Sequence, residues 1–102
     1  MNQNGTQEAA QDRFQVTISR GLRATQLLEN EAFKDATSAL AEQLMDRWRI
    51  SSDPNERERI CLSVSLLDQI KAKLAIVAKN GKLAKKELDE IAAGRRPRFG
   101  IV

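Results

Sequence analysis

The chain contains no histidine and no tyrosine, and only one cysteine. Without an imidazole, the nucleophilic triads that use histidine as the base are excluded. One cysteine and no histidine leave too few ligands for a zinc site of the usual composition within one chain. Cys61 has no partner thiol for an intrachain disulfide. Inside a helical pattern it reads as a small buried apolar group, and a lone reduced thiol fits a cytosolic protein. Glycine (5) and proline (2) are scarce, which argues against an all-β chain with its many turns. The aromatics are Phe14, Phe33, Trp48 and Phe99. A monomeric core with so little aromatic mass would be thin, which favours self-association or help from a partner. No run reaches the ~18 apolar residues of a membrane span, and the polar stretch 1–10 does not read as a signal peptide. The sequon Asn4-Gly5-Thr6 therefore carries no weight.

What the chain does contain favours helix. Much of its 41% hydrophobic content is alanine and leucine, and 30% of residues are charged. A length of 102 residues implies one domain. Residues 1–13 lack apolar periodicity and read as a disordered arm. Phe14, Val16 and Ile18 alternate with Gln15 and Thr17, which suggests an extended segment docked on the helices or on a neighbour. Leu22, Thr25 and Leu28 then take helical spacing. Asn30 reads as an N-cap, with Glu31 placing negative charge at the positive end of the next helix. That helix is expected over about 31–50, with Phe33, Thr37, Leu40, Leu44 and Trp48 on one face.

Ser51-Ser52-Asp53-Pro54 marks the clearest boundary. Asp53 reads as an N-cap, Pro54 as the first helical residue and Glu56 as the far side of a capping box. A helix over about 54–79 follows, lined by Ile60, Val64, Leu67, Leu74 and Ala78. Asn80-Gly81 reads as its left-handed stop, a last helix covers about 83–93, and Gly94 ends it. The expected fold is all-α: an antiparallel helical hairpin (31–50 and 54–79) with short flanking helices and an extended basic tail. The organisation is an arm over 1–13, a helical domain over 14–94 and a tail over 95–102.

The search for chemistry excludes more than it finds. Asn80-Gly81 with Glu87 resembles the second half of a calcium loop, but the first ligand positions would be Ile76 and Ala78, so the site is rejected. Carboxylate pairs such as Glu56 with Glu58 read as solvated first-turn charges. No phosphate-binding, dinucleotide or nucleophile-elbow motif is present. The chain is therefore read as non-enzymatic, with no cofactor and no metal. Trp48 lies between Arg47 and Arg49 like a stacking platform for a base. Its register with Leu40 and Leu44 favours the core instead.

Charge is uneven: residues 1–70 carry 8 basic and 11 acidic side chains, residues 71–102 carry 9 and 3. A basic C-terminal third attracts phosphate or an acidic protein surface. Arg95, Arg96 and Arg98 with Phe99 and Ile101 mix charge and apolar anchors, as docking segments do. Together with Phe14, Val16 and Ile18 they are the candidate partner-binding residues.

Leu27-Leu28-Glu29-Asn30-Glu31-Ala32-Phe33, Trp48 before a serine-rich turn, Glu56-Arg57-Glu58-Arg59, Leu67-Asp68 and Asn80-Gly81-Lys82-Leu83-Ala84 carry a resemblance. From Leu22 to Ala92 the chain resembles small helical proteins of unknown activity from tailed-bacteriophage and prophage gene clusters for packaging and head assembly. The resemblance implies a phage structural or accessory protein made in the host bacterial cytoplasm, or present in the virion. The expected partners are further copies of the chain and phage structural proteins, with no membrane. The alternatives are a nucleic-acid-binding packaging accessory that uses the basic C-terminal third, and a small phage inhibitor of a host protein.

Overall fold

A computed structural model describes the backbone of residues 3–94 and the side chains of residues 9–94. Every regular element in it is helical: α1 (Gln3–Glu29), α2 (Glu31–Ile50) and α3 (Pro54–Ala92). Two N-terminal expectations are corrected. Residues 3–13 are helical, and the alternating Phe14, Val16 and Ile18 lie in the middle of the same helix. A five-residue alternation has no second strand to bond with, whereas a helix pairs each interior amide within the segment. The tail over 95–102 lies outside the described residues.

The break between α1 and α2 is a single residue. Asn30 is extended (φ −71°, ψ 127°), and its side chain accepts the Phe33 amide at 2.9 Å. The expected N-cap is therefore formed. At the other end of α2, Ser51 turns extended while its amide still donates to the Arg47 carbonyl. Asp53 caps α3 by accepting the Asn55 amide at 3.1 Å, and Pro54 takes the first helical position. The reciprocal half of the expected capping box is absent. The Asp53 amide donates to Ser51 Oγ at 3.3 Å, and Glu56 instead faces Arg47 at 3.5 Å.

The largest correction concerns Asn80-Gly81. It is not a stop, and no separate helix begins after it; α3 runs unbroken from Pro54 to Ala92. Among the described residues only Gly94 has positive φ, at 67°. Its amide bonds back to the Ile91 carbonyl at 3.0 Å, so it ends α3 as expected. Helix continues through Gly81 because the 3-and-4 spacing of Ile60, Val64, Leu67, Leu74 and Ala78 runs on in register to Gly81 and Leu88. A mid-helix glycine costs only about 1 kcal/mol relative to alanine, which packing can offset.

The chain forms two compact units. One takes in the chain up to Thr25 and from Ile76 onward; the other is Gln26–Ala75. In the first, Gly21 of α1 meets Gly81 of α3 backbone to backbone. A β-carbon built on Gly21 would stand 2.6 Å from the Gly81 Cα and 3.0 Å from the Val77 carbonyl oxygen. One built on Gly81 would stand 2.7 Å from the Gly21 Cα. Ala24, Ala78 and Ala84 are the buried side chains among the described residues of this unit. Thr17 and Thr25 turn their hydroxyls back onto the carbonyls of Arg13 and Gly21 in their own helix. In the second unit the buried side chain is Ile60. Leu44, Trp48, Val64, Leu67 and Leu74 are half-buried.

Candidate functional site

The junction of α2 and α3 is where the side chains are most specifically arranged. Arg57, one turn into α3, places its guanidinium carbon 3.7 Å from the centre of the Trp48 ring. The same side chain donates to the carbonyls of Trp48 (2.6 Å) and Ser51 (2.8 Å). A cation there meets the negative end of the α2 dipole and satisfies carbonyls left free by the end of the helix. The planar fork suits both tasks at once. Trp48 is half-buried with a ring face beneath a guanidinium, so a base would have to displace Arg57 to stack on that face. Arg57 itself was not singled out in the sequence. The available signal was an arginine nine positions after a tryptophan, across a short capped turn.

The second feature is an exposed apolar row on α3. Leu62, Leu66 and Ile70 succeed one another at four-residue spacing and are 60%, 59% and 54% exposed. At 100° per residue Leu62 and Leu66 lie on the side of the helix away from Ile60, Val64 and Leu67, and Ile70 lies on the flank, about 60° from Leu67. The spacing of the row Ile60, Val64, Leu67 and Leu74 sets Ile70 at its margin, while Leu62 and Leu66 were not singled out from the sequence. The neighbouring polar groups are satisfied within the helix: Ser63 donates to the Arg59 carbonyl and Gln69 to Ser65 Oγ. Two inward expectations also shift. Leu40 is 46% exposed at the edge of its stripe, and Cys61 is exposed rather than buried.

The third feature is basic. Lys82, Lys85 and Lys86 line a shallow depression on α3 with Asp89 and Glu90. Lys85 pairs with Asp89 at 3.2 Å, so part of the positive charge is met locally. Of the candidate docking residues, Phe14 and Ile18 are half-buried on α1, and Val16 is 50% exposed. Arg95, Arg96, Arg98, Phe99 and Ile101 lie outside the described residues.

Among the described residues no group of three or more metal-capable side chains converges. None of their helices is long and apolar enough to cross a membrane. No known family, curated protein or solved structure matches the chain.

Proposed function

We propose that the protein is a non-catalytic assembly protein that works through self-association and docking on other protein subunits. The imbalance between its core and its apolar surface carries this reading. Among the described residues the buried hydrophobic side chains are Ala24, Ile60, Ala78 and Ala84. Meanwhile Leu22, Leu62, Leu66, Ile70, Ile76 and Leu83 are each more than half exposed. Scattered apolar residues on a surface are ordinary, but rows at helical spacing characterise helices that meet another chain. The phage resemblance supports a role among packaging and head components in the host cytoplasm or the virion. We further read α2 and the first half of α3 as an antiparallel hairpin in which Leu44 and Trp48 face Ile60 and Val64. The Arg57–Trp48 and Arg47–Glu56 contacts beside the turn support it. Sedimentation of the purified chain across a concentration series tests the main reading. Concentration-dependent association is expected; a strict monomer that also fails to bind phage head or tail subunits overturns it.

A second reading, nucleic-acid binding, is favoured by one observation: Lys79, Lys82, Lys85 and Lys86 are all exposed on α3. It requires duplex affinity that falls steeply with salt. A gel shift at low salt that shows no complex disposes of it.

A further inference from the structure

The row Leu62, Leu66 and Ile70 has an electrostatic frame that bears on what covers it. Arg59 continues the row on its N-terminal side and Lys73 on its C-terminal side, both exposed. Among the described residues neither side chain has an ion pair. Asn55 and Glu58, also exposed, complete the face toward the start of α3. All of these residues lie within the unit Gln26–Ala75.

We infer that this face of α3 is covered by the same face of a second copy of the chain, with the two helices antiparallel about a two-fold axis. The inference rests on the self-association reading and adds to it the surface, the occupant and the direction. A parallel pairing in register sets Arg59 against Arg59 and Lys73 against Lys73, and like charges directly opposed are unfavourable. An antiparallel pairing that packs Leu62 of each copy on Leu66 of the other removes both clashes. The same register brings Arg59 beside the Gln69 amide of the second copy. It brings Lys73 beside Asn55 of the second copy, with Glu58 of that copy one turn away and in reach of a long flexible amine. Ser63 and Gln69 already have partners in their own helix, which lowers the cost of withdrawing that face from water. The contact runs from Asn55 to Lys73, about 27 Å of helix. An isologous pair of that length buries on the order of 1,000 Å² in total, near the lower bound for specific association. An interface near that bound fits a reversible dimer.

Sedimentation equilibrium of the full chain and its variants tests this, with circular dichroism to check that each variant keeps its helix content. Wild type dimerises. Leu66→Glu weakens the dimer about tenfold or more, because it buries a carboxylate at the centre of the seam. If that variant loses helix, Leu62→Gln with Leu66→Gln serves in its place and gives the same loss. Ile50→Glu, 85% exposed and off the row, leaves dimerisation unchanged. Lys73→Glu weakens it by placing a carboxylate within a turn of Glu58 of the second copy, and Glu58→Lys with Lys73→Glu restores it. A wild type that stays monomeric overturns self-association and this surface together. A wild type that dimerises as tightly as its folded Leu66→Glu variant overturns only this surface. Loss in Lys73→Glu without recovery in the double variant overturns the antiparallel direction.

Discussion

The two compact units are held in opposite ways. In the unit that contains Gly21 and Gly81, the close approach depends on side chains that are missing. Two glycines bring backbones into contact, and alanines fill the space around them. In the unit Gln26–Ala75 the hold comes from large groups: Ile60 is 4% exposed, and Arg57 bridges Trp48 to the carbonyls at the end of α2. The first unit therefore tolerates no added atom at the crossing, and the second tolerates little removal. One long helix, α3, takes part in both. Its heptad positions are filled by Ile60, Val64 and Leu67 in one half and by Ala78 and Gly81 in the other, with buried Ala84 beside them.

The contrast can be broken experimentally, and the largest effect should come from the second unit. Ile60→Ala is expected to cost about 2–5 kcal/mol, since it leaves a cavity at a buried site. Chemical denaturation that shows under 1 kcal/mol would mean the neighbouring side chains close over the gap. In the first unit the sign of the volume change reverses. Gly81→Ala should destabilise by about 1–3 kcal/mol despite alanine's better helix propensity, because the new methyl meets backbone that cannot swing aside. A thermal melt above that of wild type would show that the two helices do not cross so closely.

Arg57→Lys sharpens the comparison from the polar side. Lysine keeps the charge but loses the fork that serves two carbonyls and the ring together. A loss of about 1–2 kcal/mol is expected. Tryptophan fluorescence, which reports on the group above Trp48, should shift in the same variant. Asn30→Ala should cost about 1 kcal/mol, the usual worth of an N-cap, and an unchanged melting temperature would show that the Phe33 amide finds water equally well. Smallest of all, Glu42→Ala on the exposed side of α2 should change stability by under about 0.5 kcal/mol.

Several of these features were legible in the residues. Asn30, Asp53-Pro54 and Gly94 punctuate the chain where expected, because capping is local chemistry over three or four residues. Gly81 shows where local reading fails. An Asn-Gly pair inside a helical pattern has two physical uses: a left-handed turn, or a place where another backbone comes near. Only the position of Gly21, sixty residues earlier, distinguishes them. The alternation Phe14–Ile18 failed for a related reason, since a strand needs a partner strand and the chain supplies none among its described residues. Leu62 and Leu66 were overlooked because spacing identifies apolar rows without saying which of two opposite rows faces inward.

The sequence by itself determined that the protein is helical and where α2 and α3 start, because propensity and capping act over a few neighbouring residues. The tertiary structure alone decided that α3 passes through Gly81, that Arg57 covers Trp48, and that the row from Leu62 to Ile70 is left in water. Those outcomes depend on which groups distant in sequence come to share the same space.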